Sequence, residues 1–385
     1  MSDLKEMFSS MASGVEQNFD DLMFRVNKRL KLHGPLQIIP YRSYGTAHRL
    51  YIKGRVLEDK GIRPSTKEDS LWSILLDMYK RFESDEVPNA TIQITFEGKS
   101  HTIVTDDEGY FILNISPAAP LLWNSWHEVE IELTGAPIPM ATGIKTKAQV
   151  LVPPIDAEFG IISDIDDTIV KTTATNLLAM SRNVFLNNAH SRLPFPGVSE
   201  FYKALQLGKN GKQNNPFFYV SSSPWNLYDL LVDFLDINKI PAGPLLLRDF
   251  GFEGDKFISS DHMGHKFYEI ENILLTYPLL NFVLIGDSGQ EDPKIYKEIV
   301  RKYPKRILAV YIRDVDVPER KKIALDISKE LQEDKVEMVI VSDTVEAASH
   351  AAGINLVYRE TIPEIEVEKK LDTGEIPGKE PLKIT

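Results

Sequence analysis

The paired prolines Pro153-Pro154 constrain this 385-residue chain most. Neither a helix nor a central strand runs through two successive prolines, because each lacks the backbone N–H that those structures use. The hydrophobic pattern changes on crossing them. Upstream, short runs rich in β-branched and aromatic residues (36–40, 48–55, 90–96, 101–104, 110–115, 127–133 and 148–152) are separated by turn residues. Strands so spaced predict an antiparallel β-sandwich. Downstream, apolar runs at 159–163, 217–220, 245–247, 282–285, 307–312 and 338–341 alternate with helical segments near 197–207, 225–238, 265–276, 292–302, 318–333 and 343–351. Continuous apolar strands alternating with helices predict a parallel sheet covered on both faces.

Two segments flank these regions. Val15, Phe19, Leu22, Met23, Val26 and Leu30 recur at helical spacing and stop before His33-Gly34-Pro35, so an amphipathic helix is expected within residues 1–35. Beyond 358 the chain is rich in Glu, Lys, Pro and Gly, and residues 359–385 are expected to be a mobile tail. The organisation read is therefore a helix in 1–35, a β-sandwich in 36–152, an α/β domain in 153–358 and the tail. Leu71, Ile74, Leu75, Met78 and Tyr79 predict a helical insertion near 65–84. The run from Thr105 to Phe111 leads turn formers into an aromatic strand and resembles transthyretin-like modules; Asp106, Asp107 and Glu108 suit a solvated turn or a calcium ligand set.

Composition excludes several functions. A net charge of -12 opposes a nucleic-acid partner or a bilayer held by overall charge. With no cysteine there are neither disulfides nor thiolate metal sites. The opening MSDLKEMFSS lacks the basic and apolar regions of a secretory signal, and no apolar run reaches the roughly 20 residues of a spanning helix. A cytoplasmic location is expected, with any membrane contact peripheral.

Four motifs fall at strand ends, where parallel sheets gather functional groups. Asp164-x-Asp166-x-Thr168 follows an apolar strand, and its crowded acids repel one another unless a cation sits among them. Ser221-Ser222-Ser223-Pro224 closes the next strand before a helix, where hydroxyls and free N–H groups suit a phosphate or an ordinary cap. Lys266, beside His265, opens a helix at the end where the dipole disfavours a cation. Gly286-Asp287 follows another strand, and places Asp287 to complete a carboxylate site while Asp292 reaches for Lys266.

In this order the motifs resemble those of the haloacid dehalogenase superfamily, over roughly residues 158–315. The resemblance implies a Rossmann-like α/β phosphatase domain. By position, it implies that Asp164 is the nucleophile forming an aspartyl-phosphate and Asp166 the acid/base. Ser221, Ser222, Lys266 and His265 would bind phosphate, and Thr168 and Asp292 would support the loop. Asp164, the Asp166 carbonyl and Asp287 would hold Mg²⁺. Attack by a carboxylate on a phosphate dianion needs such charge neutralisation.

The intervals between motifs hold no large cap; an excursion at 176–191 is the most that fits. The extended runs Ser163 to Ile169, Ser221 to Trp225, His265-Lys266 and Ile285 to Pro293 resemble the actin-patch phosphatidate phosphatase family and its bacterial relatives. That implies hydrolysis of phosphatidate to diacylglycerol and phosphate. Lipins carry Asp-x-Asp-Gly-Thr, whereas this chain has Asp167 in place of the glycine. A phosphatase for a protein, nucleotide or other soluble phosphoester is the alternative, and a binding or scaffold protein with a vestigial phosphatase domain is a third. Trp225 suits either acyl chains or a helix staple, and Arg248-Asp249 and Arg313-Asp314 suit ion pairs or substrate contacts. The ligand or protein partner of the β-sandwich is left open.

Overall fold

A computed structural model describes residues 34–61, 86–169, 195–248 and 262–375. The helix read at 12–32, the insertion at 65–84 and the excursion at 176–191 lie outside these residues, as does Asp249.

Upstream of the prolines run β1 (Leu36–Pro40), β2 (Ser43–Thr46), β3 (Arg49–Glu58), β4 (Thr91–Phe96), β5 (Lys99–Val104), β6 (Tyr110–Ile115), β7 (Trp126–Gly135) and β8 (Lys145–Leu151). They form one hydrogen-bonded sheet in the order β1-β3-β2-β8-β7-β4-β5, with β6 branching from β3. The pairs are antiparallel except β2 with β8, which is parallel. Through its hydrogen bonds the sheet is continuous and branched, and its buried faces share one core. Strand alternation fills that core: Ile92, Ile94 and Phe96 of β4 join Leu50, Ile52, Val129 and Ile131. The sequence Ser-Tyr-Gly-Thr of β2 carries no apolar run, so it escapes a reading by pattern. At the acidic turn, Asp106 Oδ1 accepts the backbone N–H groups of Glu108 and Tyr110 at 3.1 and 2.8 Å. Its carboxylate serves the turn itself.

Downstream come β9 (Gly160–Ser163), α1 (Val198–Leu207), β10 (Phe217–Pro224), a 3-10 turn (Trp225–Leu227), α2 (Tyr228–Ile237), β11 (Leu245–Arg248) and α3 (His262–Thr276). They are followed by β12 (Phe282–Asp287), α4 (Asp292–Lys302), β13 (Ile307–Arg313), α5 (Pro318–Glu333), β14 (Met338–Val341), α6 (Thr344–Gly353) and α7 (Ile362–Asp372). The strands form a wholly parallel sheet in the order β11-β10-β9-β12-β13-β14. Successive residues point to opposite faces: Ile161, Tyr219, Val283 and Ile285 enter one core, and Ile162, Val220, Leu284 and Phe282 the other. Chain order reverses between neighbours β9 and β12, so the connections leave in opposite directions and open a crevice at their carboxyl ends.

The first sheet caps the β11 edge of the second. Tyr41 and Tyr110 pack into one of its cores, Tyr44 and Leu151 into the other. Tyr277 donates to the Gly45 carbonyl at 2.9 Å, and Arg42 pairs with Asp236 at 2.8 Å.

Part of the expected mobile tail is ordered. Residues 362–372 form α7, whose Ile365 is fully buried against the core that α1 also enters. The Asp372 carboxylate accepts the Gly197 N–H at 2.9 Å and Glu368 accepts the Glu200 N–H at 2.8 Å. These are donors at the start of α1, which has no side-chain cap of its own. Composition marked this segment as polar; the long-range capping that holds it is invisible locally.

Candidate active site

The crevice between β9 and β12 collects the four motifs. Asp164 directly follows β9, and its backbone N–H donates to the Ile285 carbonyl at 2.9 Å, tying it to β12. Its carboxylate is buried, 2.9 Å from Lys266 Nζ through Oδ1 and 3.3 Å from Thr168 Oγ1 through Oδ2. Asp167 turns the loop with φ at +56°. This is the left-handed region that glycine adopts freely and that short polar Asp tolerates among the others.

Asp166 points beside Asp164 and is held by two hydroxyls. Ser221 and Ser223 each donate to Asp166 Oδ2 at 2.9 Å. Strand β10 continues through Pro224 rather than ending at Val220, and its alternation presents positions 221 and 223 together. Ser222, between them, is not brought to the carboxylates, and Ser223 is the residue that reading by sequence missed. A period of two within the serine run is the signal that locates it. Only a 3-10 turn follows the serines before α2 begins at Tyr228.

Lys266 enters from the first turns of α3 and is buried. Besides Asp164 it reaches Asp292 Oδ1 at 2.7 Å and Gln290 Oε1 at 3.3 Å. Asp292 Oδ2 accepts the Asp287 N–H at 3.1 Å. Gly286 permits this approach: a Cβ there would lie 2.4 Å from that oxygen. Asp287 Oδ1 accepts the N–H groups of Gly289 and Gln290 at 2.6 and 2.8 Å, while its Oδ2 is buried without a hydrogen-bond partner among the described residues. Gln290 Nε2 donates to the Asp166 carbonyl at 3.3 Å.

Four buried carboxylates (Asp164, Asp166, Asp287 and Asp292) thus surround one buried lysine. Burial pushes Asp164 up to about 8 against the pull of Lys266, and raises Asp287 well above the carboxylate range. Burial alone would lower Lys266, but Asp164, Asp292 and Asp287 together hold it above the ordinary lysine value. Oxygens of Asp164, Asp287 and Asp292 lie within 4.8 Å of one another. The excess of negative charge and the orphaned Asp287 oxygen fit a hard cation with oxygen ligands.

His265 is half-buried; burial, then Arg248, hold its pKa below the ordinary value, so the imidazole is neutral at pH 7. Its Nε2 is buried without a hydrogen-bond partner among the described residues. Asp314 pairs with Lys321 at 2.6 Å, and the Arg313 guanidinium stacks on Phe195 at 2.8 Å from the ring centroid, so these two do not pair with each other. Trp225 packs on Tyr41, with ring centroids 4.2 Å apart.

Residues 159–314 match the family described as the catalytic domain of phosphatidate phosphatase APP1. This segment resembles the APP1 catalytic domain. Over 155 residues the chain is 37% identical to phosphatidate phosphatase APP1 of Saccharomyces cerevisiae, covering 40% of this chain and 25% of that protein. Over 215 residues it is 27% identical to an uncharacterized protein of Schizosaccharomyces pombe, covering 55% of this chain and 34% of that one. The chain spans a quarter to a third of the length of these curated relatives. Among solved structures, a carbohydrate acetylesterase from Xanthomonas citri shares 10% identity over 82% of this chain and 75% of that chain, with a TM-score of 0.29, too low to bear on fold or function. The APP1-type segment runs from the start of β9 to the end of β13 and so contains every carboxylate of the crevice.

Proposed function

We propose that the chain is a Mg²⁺-dependent phosphomonoesterase of the haloacid dehalogenase type that hydrolyses phosphatidate to diacylglycerol and phosphate. The observation that carries this is the buried Asp164 carboxylate against Lys266, with Asp166 beside it on two serine hydroxyls. The sheet order, with its reversal between β9 and β12, supports a Rossmann-like α/β domain. The APP1 match supports the phospholipid substrate.

In this reading Asp164 attacks phosphorus, the phosphoester bond to the lipid oxygen breaks, and Asp166 delivers a proton to that leaving oxygen. Asp166 then takes a proton from the water that cleaves the aspartyl-phosphate, which returns Asp164 and releases phosphate. Lys266 neutralises and orients the phosphoryl oxygens, the Ser221 hydroxyl joins it by turning from Asp166 to the phosphate, and the neutral His265 is able to supply one further N–H. Thr168 braces the Asp164 loop, and Asp292 positions Lys266 and the β12 turn. Asp164, the Asp166 carbonyl and Asp287 would hold Mg²⁺, which offsets the phosphate's charge when bound. The Asp287 oxygen that has no hydrogen-bond partner among the described residues supports its place in that set.

Phosphate release from phosphatidate in detergent micelles tests the proposal. It is expected to require Mg²⁺ and to vanish in Asp164→Asn. Turnover of phosphopeptides or nucleotides in preference to phosphatidate would instead favour a soluble phosphoester, and metal-dependent turnover of no substrate would favour a scaffold.

A further inference from the structure

Asp164 stands where β9 leaves the sheet, and its main chain needs partners that the ladder no longer supplies. The last pairs of β9 are Ser163 with Ile285 of β12 and Ser163 with Tyr219 of β10. Just past them the Asp164 N–H still finds the Ile285 carbonyl at 2.9 Å. The Asp164 carbonyl accepts the Ser163 hydroxyl at 2.7 Å. A buried carbonyl beyond the ladder is costly to leave without a donor, and the serine side chain supplies it.

Each of these two bonds is backed by a buried tyrosine. Ser163 Oγ lies 2.7 Å from the Tyr202 hydroxyl. A serine hydroxyl has one proton, and with that proton on the Asp164 carbonyl the Tyr202 O–H is the donor to Ser163 Oγ. On the other side the Tyr296 hydroxyl donates at 2.8 Å to the Ile285 carbonyl, the same oxygen that takes the Asp164 N–H. Tyr202 belongs to α1 and to one core, Tyr296 to α4 and to the other, so the two hydroxyls arrive from opposite faces of the sheet. Ser163, Tyr202 and Tyr296 are fully buried. Burial holds both phenols above the ordinary tyrosine range, so each stays a donor at neutral pH. Tyr296 also stands one turn along α4 from Asp292, which holds Lys266 and the Asp287 N–H. One face of α4 thereby fixes Lys266, Asp287 and the carbonyl that anchors Asp164.

We propose that Tyr202, through Ser163, and Tyr296, through Ile285, are positioning residues that clamp the Asp164 main chain from both faces and aim its carboxylate at phosphorus; the inference rests on the phosphatase reading above. An aspartate side chain has only two torsions, so a shift of its main chain passes directly to the attacking oxygen. Misplacement by about 1 Å costs up to about 10²-fold in rate.

Tyr202→Phe, Ser163→Ala and Tyr296→Phe are assayed with phosphatidate in detergent micelles and Mg²⁺. Tyr277→Phe serves as the control, because it removes a comparable buried bond from a tyrosine to a carbonyl, that of Gly45, far along the chain from the crevice motifs. Each of the first three is expected to lower kcat about tenfold with KM within about twofold, and the control to change neither. Tyr202→Phe combined with Ser163→Ala should cost no more than either alone, since the two act in one chain, whereas Tyr202→Phe and Tyr296→Phe should multiply. Amide hydrogen exchange in peptides covering residues 160–169, measured in EDTA, reads the clamp without turnover: it should quicken in the three variants and not in Tyr277→Phe. Unchanged kcat in all three, or losses equalled by Tyr277→Phe, would overturn the clamp and leave the phosphatase reading standing. Absence of phosphate release by the unaltered protein from every ester would overturn the phosphatase reading itself.

Discussion

Asp292 binds Lys266 Nζ at 2.7 Å with one carboxylate oxygen and the Asp287 backbone N–H at 3.1 Å with the other. One buried side chain thereby fixes both the cation of the crevice and the turn that presents Asp287. Replacing Lys266 with Met leaves Asp292, which it meets at 2.7 Å, buried without its counter-charge. A loss of about 3–5 kcal/mol in urea unfolding is expected in EDTA, by analogy with broken buried pairs. Added Mg²⁺ should recover part of it.

Asp164→Asn and Asp166→Asn should separate the two carboxylates. The first removes the proposed nucleophile and should abolish release from any ester. The second should cost about 10²–10⁴-fold with phosphatidate, whose alkoxide leaving group needs a proton. The cost should be much smaller with p-nitrophenyl phosphate, whose leaving group does not. Ser223→Ala, which removes one of two hydroxyls from Asp166 Oδ2, should show the same substrate dependence with a smaller loss. Equal losses on both esters would contradict an acid/base role for Asp166.

The left-handed backbone at Asp167 makes a conformational prediction. Asp167→Gly and Asp167→Asn should keep most activity and stability, because both residues adopt positive φ readily. Asp167→Val should lose about 1–2 kcal/mol in thermal or urea unfolding.

Stability of the metal-free protein should fall as pH rises. Burial holds Asp164 up to about 8, against about 3.9 for an unfolded aspartate. Between those values the folded state binds a proton that the unfolded chain has released, so unfolding becomes easier with increasing pH. Asp287, also raised by burial, acts in the same direction. Lys266 is raised rather than lowered, so its contribution stays constant until pH exceeds the ordinary lysine range. Urea midpoints in EDTA at pH 5 and pH 8 should show the decline, and Mg²⁺ should reduce it. A midpoint that increases with pH in EDTA would refute the reading.

Ile365→Ala should destabilise the fold by about 2–5 kcal/mol, the range for a buried aliphatic truncation. Asp372→Ala should cost about 1 kcal/mol through loss of the Gly197 cap. Thermal unfolding measures both, and a tail that does not dock would show neither effect.

Much of this molecule was legible locally. The apolar strands, their alternation with helices and the placement of Asp164, Asp287 and Lys266 at strand and helix ends follow from periodicities of a few residues, so they could be read in the sequence. The longer β10 brings the Ser223 hydroxyl to Asp166 beside that of Ser221, a contact that depends on how far the strand stays extended. Strand β2, parallel to β8 and without an apolar run, the anchoring of α7 on α1, and the hydroxyls of Tyr202 and Tyr296 around Asp164 depend on contacts between residues far apart in the chain. Sequence alone determined which chemical groups are present and where along each element they stand. Tertiary structure decided which of them meet, because hydrogen-bond partners and shared burial are set by packing between elements and not by any local pattern.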